Sequence, residues 1–320
     1  MASEHVEVVI IGAGESNQEQ GEDSLTTYSK RQGCYGLAAA KTYLQIQPDV
    51  DLLVLEKGSE IGGVWATELL YPGIKTNNLC GTYEFTDFPM KPFGAKEGEH
   101  VPGHIVRDYL NAYAERFGVS KRTRLNTTVQ SAEFLDGQWK LTMGSSGHVI
   151  ITDKLIVATG VASTPFTPDI QGSECFEAPI LHSKSLAHAA ETLIPKASRV
   201  TIIGGYKSAY DAVYMFATSG VHVDWIIRKS GHGPGWMVPI YVTPLKIWLE
   251  KLVTTRFLTW FSPCIWGDAD GYGWIRRKLH GTALGRWVVD RFWGVLTSDV
   301  VQLNAYDKDT KTKLLTPWFR

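Results

Sequence analysis

The sequence has few cysteines, no long apolar run and almost no net charge, and each shortage excludes a class of protein. Its 320 residues include four cysteines, none in a C-x-x-C pair, so neither a disulfide framework nor a redox dithiol is predicted. A net charge of −1 provides no basic footprint for nucleic acid. The amino terminus lacks the apolar core of a signal peptide. We therefore predict a cytoplasmic protein without a nucleic-acid partner.

The longest apolar stretch, residues 240–266, is rich in Trp, Leu, Ile and Phe. Lys246, Glu250, Lys251 and Arg256 interrupt it, so no run is long enough to span a bilayer. A peripheral membrane contact is one interpretation. An amphipathic helix packed on a domain or oligomer surface is the other, and we favour it.

Two stretches of the chain repeat one order of elements: strand, glycine turn, helix, strand. The first comprises a strand at 8–11, a helix at 37–45 and a strand at 52–56. The second comprises a strand at 200–203, a helix at 208–218 and a strand at 221–228. We predict an α/β fold with two Rossmann-like dinucleotide-binding domains, at 1–168 and 169–320, whose parallel sheets are flanked by helices. Short strands at 127–134, 139–143 and 148–152 predict a small antiparallel sheet, and 155–160 predicts a further buried strand.

The first glycine turn is a dinucleotide-binding fingerprint divided by an insertion. Gly12 and Gly14 follow the first strand, and Gly36 begins the helix, but residues 15–33 lie between them. Without that segment the sequence is G-x-G-x-x-G, whose glycines serve the tight turn, the approach to a pyrophosphate and helix packing. Glu56 ends the second strand, where a ribose-binding acid is expected. The alternative is a turn that binds nothing.

The insertion itself is polar and has no apolar periodicity, which predicts a poorly packed surface loop. Excising residues 15–33 restores the fingerprint without a frame shift, and codons at both edges are compatible with splice signals. We therefore predict that the segment is intron sequence carried into a conceptual translation. Because a pyrophosphate needs helix N–H groups directly beyond the turn, we expect the insertion to weaken binding.

The second glycine turn is an imperfect version of the same fingerprint. Gly204 follows the strand, Ala209 holds the third position, and Tyr206 occupies the place of the middle glycine. The second strand ends in Arg228 and not in an acid, which favours a 2′-phosphate and hence NADP over NAD. An ordinary surface cation is the alternative.

These motifs together resemble the flavin-containing monooxygenases, in particular fungal members of secondary metabolism. The resemblance is carried by the split fingerprint, by Glu56 and by segments 62–65, 158–160 and 204–209. The family hallmark F-x-G-x-x-x-H corresponds to 176–182, with alanine in place of glycine. Leu186 departs from the aromatic residue that the family often has four positions after the histidine.

The resemblance implies an FAD- and NADPH-dependent monooxygenase with FAD in the first domain and NADPH in the second. Such enzymes oxygenate a small organic substrate with O₂ through a C4a-hydroperoxyflavin. The family places an asparagine near the flavin, and Asn77 matches it, although Asn77 could equally cap a turn. The implied cofactor-binding residues are Gly12, Gly14, Gly36, Glu56, Lys57, Gly63, Trp65, Thr159, Gly160, Gly204, Lys207, Ser208 and Arg228.

Members of that family usually run well past the length of this chain, so we interpret the sequence as a fragment or a truncated gene product with an incomplete carboxyl-terminal part. Two alternatives stay open. One is an FAD/NAD(P)H oxidoreductase that inserts no oxygen. The other is a non-enzymatic remnant that keeps the fold without binding FAD.

Overall fold

The computed structural model describes residues 3–12, 33–144, 146–160, 165–228, 241–242, 247–253, 255–262, 268–308, 310 and 312–314. Gly14 and the insertion predicted to be a surface loop lie outside the described residues, apart from Gly33 at its end.

The helices and strands of the described residues are β1 Glu4–Ile11, α1 Cys34–Ile46, β2 Leu52–Leu55, β3 Lys75–Leu79, β4 His100–Pro102, α2 Gly103–Arg116, β5 Thr123–Arg124, β6 Val129–Leu135, β7 Gln138–Met143, β8 Val149–Val157, α3 Leu186–Leu193, β9 Arg199–Ile203, α4 Lys207–Thr218, β10 His222–Ile226, β11 Tyr241–Val242, β12 Ile247–Trp248, α5 Leu249–Val253, α6 Gly273–Gly281 and α7 Ala283–Leu303.

The chain divides into two compact units. The first consists of Met1–Ile74, Thr86–Ala95 and Pro102–Thr192, and the second of Lys75–Phe85, Lys96–Val101 and Leu193–Arg320. The division into an FAD-binding domain at 1–168 and an NADPH-binding domain at 169–320 stays a prediction.

A six-stranded sheet in the order β5-β2-β1-β8-β7-β6 forms the centre of the first unit. Strands β5, β2, β1 and β8 are parallel, whereas β7 and β6 continue the sheet antiparallel. The last four residues of β1 are all buried, which is typical of a central parallel strand covered on both faces. The predicted α/β class with parallel and antiparallel strands is confirmed.

Strand β8 corrects one sequence-based expectation. Segments 148–152 and 155–160 were expected to form separate strands, but Val149–Val157 is one strand. Its first residues pair antiparallel with β7, and most of its length pairs parallel with β1. The antiparallel strands are therefore part of the large sheet.

Apolar residues of β1, β2, β6, β7 and β8 form one core cluster on this sheet. It comprises Val6, Val9, Ile11, Leu55, Val129, Ala132, Leu141, Met143 and Ile150. Full burial of a large aliphatic side chain contributes about 1.5–3 kcal/mol, so this cluster is a major source of stability for the first unit.

Helix α1 is held by an interaction that the sequence pattern did not indicate. The ammonium of Lys41 forms an ion pair with Asp87 and lies 5.3 Å from the centroid of the Phe117 ring. Phe88 in turn packs on Tyr109 and Tyr113 of α2. The ion pair and the aromatic cluster therefore connect α1, α2 and the segment between β3 and β4.

Strands β9 and β10 of the second unit are parallel, and α4 packs against both of them. The sequence analysis predicted these three elements in that order, and the structure has them. Helix α7, the longest among the described residues, was not predicted; it follows the apolar stretch at 240–266. No helix within the described ranges is long and apolar enough to cross a membrane.

Candidate functional site

The first candidate site lies at the carboxyl edge of the parallel strands. Gly12 donates its N–H to Leu55 O at 2.9 Å, and Ala158 donates to Ile11 O at 2.9 Å. Gly12 therefore lies between Glu56, which follows Leu55, and the segment 158–160, which follows β8. The structure thus brings Gly12, Glu56, Thr159 and Gly160 to one edge, where open α/β sheets bind their ligands.

Glu56 is a fully buried carboxylate at the end of β2. One of its oxygens, Oε1, accepts the N–H of Gly58 at 2.5 Å. Its backbone is also fixed, because its N–H donates to Arg124 O and its carbonyl accepts from Thr127. Burying a carboxylate costs free energy unless hydrogen-bond partners compensate for the lost water. The hydrogen bond from Gly58 provides such a partner at the position where a ribose-binding acid was predicted.

Gly58 makes room for that carboxylate. A Cβ atom at position 58 would lie 3.0 Å from Glu56 Oε1 and 3.4 Å from the carbonyl oxygen of Glu60. The glycine was not singled out in the sequence, although its position two residues after the strand-ending acid is a usable signal.

Helix α1 follows β1 in the chain and begins without a side-chain cap. Gly33 precedes the helix without a side-chain cap, and the first turn contains no acidic residue. Gly36 is buried in that turn. Backbone N–H groups at a helix amino terminus attract anions, and the lack of a side-chain cap fits a diphosphate. The second glycine of the fingerprint, Gly14, lies outside the described residues.

Residues Gly63–Trp65, which follow Glu56 in the sequence, form a short 3₁₀ turn. Gly62 and Gly63 both have positive φ, 137° and 62°, which is the conformation that favours glycine. Trp65 donates its N–H to Gly62 O at 3.1 Å and, like Lys57, is half-buried. The turn therefore explains why the motif contains two glycines.

Asn77 lies in β3, in the second unit, with an exposed side chain. Sequence analysis placed it in a loop, where it could cap a turn; the structure corrects this, because β3 is paired with β4. Thr76 anchors the pair, since its hydroxyl accepts the N–H of Val101 at 2.9 Å. The strand leaves the Asn77 carboxamide available to a ligand, and its predicted catalytic role remains a prediction.

The second candidate site is the turn between β9 and α4. Gly204 has φ of 142°, and its N–H donates to Ile226 O at 3.0 Å. A Cβ placed on Gly204 would contact Ala209 Cβ at 3.5 Å, so the third fingerprint position does pack on the first. Tyr206 precedes α4 without capping it by a side-chain hydrogen bond and is 55 % exposed.

The polar residues predicted for this second site differ in how accessible they are to a ligand. Lys207 forms an ion pair with Asp211 one helical turn later, which holds its ammonium along α4. Arg228 is exposed two residues beyond β10 and has no ion pair among the described residues. Ser208 is exposed in the first turn of α4. Arg228 is therefore the cation best placed to meet an incoming phosphate.

The described cysteines offer no redox pair. Cys34, Cys80 and Cys175 are free thiols. Burial raises the pKa of Cys34 and of Cys80, which keeps both protonated at neutral pH. Within the described residues no group of His, Cys, Asp and Glu could hold a metal ion.

Two sets of parallel strands end at Gly12 and Gly204, one beside a buried acid and the other beside an exposed arginine, which is typical of the dinucleotide-binding class. Residues 32–255 match the model of the family described as pyridine nucleotide-disulphide oxidoreductase. The chain belongs to this family.

Curated relatives confirm the resemblance to flavin monooxygenases. The chain is 35 % identical over 298 residues to the FAD-dependent monooxygenase rstn6 of Aspergillus nomiae, covering 89 % of this chain and 52 % of the relative. It is 36 % identical to an FAD-dependent monooxygenase of Pyrenophora dematioidea, with coverage of 89 % and 54 %. The chain thus spans about half the length of the curated relatives it matches.

Solved structures show the same fold. The flavin-containing monooxygenase from Stenotrophomonas maltophilia superposes with a TM-score of 0.52 at 24 % identity, covering 70 % of this chain and 58 % of that one. A closed crystal structure of cyclohexanone monooxygenase superposes with a TM-score of 0.56 at 19 % identity, covering 81 % and 44 %.

Proposed function

We propose that this chain functions as an FAD- and NADPH-dependent monooxygenase that acts with O₂ on a small organic substrate. The observation that carries the proposal is the edge of the first sheet, where Gly12, the buried Glu56 and segment 158–160 meet. Its relatives bear the name FAD-dependent monooxygenase, and a cyclohexanone monooxygenase of the same fold has been solved with NADP+ bound.

In this proposal residues 1–168 bind FAD. The amino terminus of α1, with Gly12, Gly14 and Gly36, receives the diphosphate, because its N–H groups provide positive partial charge. Glu56 accepts hydrogen bonds from the adenosine ribose hydroxyls. The remaining proposed FAD-binding residues are Lys57, Gly63, Trp65, Thr159 and Gly160. FAD supplies the redox chemistry, and the chain supplies binding, orientation and exclusion of water.

Residues 169–320 bind NADPH in the same proposal. The turn at Gly204 and the first turn of α4, with Lys207 and Ser208, receive the diphosphate. Arg228 binds the 2′-phosphate, for which a guanidinium offers two parallel N–H donors. Asn77 is the proposed catalytic residue, because its carboxamide can donate a hydrogen bond to one partner while accepting from another.

The proposal places the protein in the cytoplasm without a nucleic-acid partner. A peripheral membrane contact by 240–266 is the less favoured alternative for that stretch, and flotation with anionic vesicles would detect it.

Two measurements on the full chain test the proposal: the amount of bound flavin, and the peroxide released per NADPH consumed. We expect the purified protein to show flavin absorption bands and to oxidise NADPH with less peroxide released than NADPH consumed once a substrate is present. Glu56→Gln should lower FAD occupancy, whereas Glu133→Gln, the same change at an exposed position of β6, should not.

The outcomes separate the alternatives. Stoichiometric peroxide with every substrate tried would favour the non-oxygenating oxidoreductase. A colourless protein that cannot be loaded with FAD would favour the non-enzymatic remnant, which the interruption of the first fingerprint by residues 15–33 also suggests.

A further inference from the structure

The carbonyl group of Gly204 accepts a hydrogen bond from a tryptophan side chain. The indole N–H of Trp225, in β10, donates to Gly204 O at 2.7 Å. The N–H of the same glycine donates to Ile226 O at 3.0 Å. Residues of β10 therefore hydrogen-bond to both backbone polar groups of Gly204. The carbonyl oxygen of Ile226 accepts from the N–H, and the Trp225 side chain donates to the carbonyl.

Fixing this carbonyl also fixes the next amide. The peptide between Gly204 and Gly205 is planar, and in a trans peptide the C=O and N–H groups point in opposite directions. The indole of Trp225 thus holds the Gly205 N–H pointing away from itself. Glycine has a low barrier to other φ and ψ values, so without this hydrogen bond the Gly204–Gly205 peptide could rotate more freely.

The tryptophan is itself held in place by two tyrosines. The Tyr210 ring packs edge-on against Trp225, with centroids 4.7 Å apart and an interplanar angle of 80°. The Tyr210 hydroxyl is hydrogen-bonded to the hydroxyl of Tyr306, which is buried beyond the end of α7. Burial and this contact raise the pKa of Tyr210, so its hydroxyl stays protonated at neutral pH. Trp225 therefore keeps its donor aimed at Gly204.

We propose that Trp225 is a positioning residue of the NADPH site: it sets the orientation of the Gly204–Gly205 peptide, and with it the N–H that faces the cofactor diphosphate. The inference rests on the proposed function, since it assumes that this turn binds NADPH. The inference also predicts which residue distinguishes NADPH from NADH. The diphosphate is common to NADPH and NADH, so Trp225 supports both equally, whereas Arg228 distinguishes them.

Trp225→Phe tests the inference because it removes the N–H donor and keeps an aromatic ring beside Tyr210. We expect NADP+ and NAD+ to bind about 3- to 10-fold more weakly, the effect of one net hydrogen bond, with their affinity ratio unchanged. FAD affinity should not change. Exchange of the Gly205 amide hydrogen should be faster in the variant without nucleotide. Trp287→Phe, at an exposed position of α7, is the matched control and should leave both affinities unchanged.

Tyr210→Phe separates positioning from stability. It removes the hydroxyl contact to Tyr306 and retains the ring against Trp225, so we expect a lower free energy of unfolding and a smaller loss of NADP+ affinity than in Trp225→Phe. If Trp225→Phe lowers stability but leaves both nucleotide affinities and the Gly205 exchange rate as in the wild type, the inference is wrong. If the wild type binds no nicotinamide nucleotide at all, the proposed function itself is contradicted.

Discussion

Glu4 provides a quantitative test of how the first unit is held together. Glu4 is the first residue of β1. Its carboxylate oxygens accept hydrogen bonds from both terminal nitrogens of Arg124, in β5, at 2.9 and 2.7 Å. His148, just before β8, lies 3.1 Å away through Nε2. The hydrogen bonds from Arg124, with a smaller contribution from His148, lower the pKa of Glu4 from 4.5 to about 2 against the opposing effect of burial.

The size of the stabilisation follows from this shift after allowance for solvent. At about 1.4 kcal/mol per pKa unit, the lowering would correspond to roughly 3 kcal/mol. The side chains of Glu4 and Arg124 are 35 % and 40 % exposed, however, so water screens the pair. Measured values for ion pairs of this exposure lead us to expect about 1 kcal/mol.

The sign of the pH dependence is set by the lowered pKa. The unfolded chain takes up the proton near pH 4.5, whereas the folded protein does so only near pH 2. The contribution of Glu4 is therefore complete above pH 4.5 and is lost as the pH falls towards 2.

Urea unfolding of the wild type and of Glu4→Gln measures this contribution. At neutral pH we expect the variant to lose about 1 kcal/mol in the free energy of unfolding. The difference should shrink as the pH is lowered and vanish near pH 2. Glu133→Gln, an exposed control in β6, should show neither effect. If the two variants behave alike, or if the difference persists in acid, the ion pair does not stabilise the unit.

Three further predictions concern the candidate sites. Arg228→Ala should weaken NADPH binding about 10-fold while changing NADH binding little, because a charge-assisted hydrogen bond to the 2′-phosphate is lost; equal losses in titrations of both would exclude this role. Gly58→Ala should lower FAD affinity by displacing the Glu56 carboxylate, and unchanged affinity in a flavin titration would contradict it. Deleting residues 15–33 should tighten FAD binding, and equal dissociation constants for both chains would show that the insertion is harmless.

The sequence predicts the backbone layout of both sites because glycine turns and apolar strands are local signals. Gly204 precedes α4 as expected, and Gly12 and Glu56 end adjacent strands as their spacing indicated. The ends of the elements were less accurate, since the strand expected at 221–228 is His222–Ile226 in the structure. Local sequence signals fix the ends of an element less well than its existence.

Contacts between distant residues could not be predicted in this way. Asp153 and Lys154 lie between the two separate strands that were expected at 148–152 and 155–160. In the structure Lys154 pairs with Glu7 at 3.1 Å, and Asp153 accepts a hydrogen bond from Gln138 at 2.7 Å. Neighbouring strands thus supply the partners, and only the assembled sheet shows that the strand continues. The hydrogen bond from Trp225 to Gly204 is of the same kind.

The continuity of β8 has a consequence for local unfolding. The strand pairs with β7 through its first residues, runs along β1, and ends immediately before segment 158–160. The antiparallel hairpin of β6 and β7 therefore cannot separate from β8 without disturbing the strand that leads into the candidate nucleotide-binding edge. We expect the amides of β7 and β8 to exchange with solvent as one cooperative unit. A ligand bound at that edge would then slow hydrogen exchange throughout the hairpin, including residues far from it.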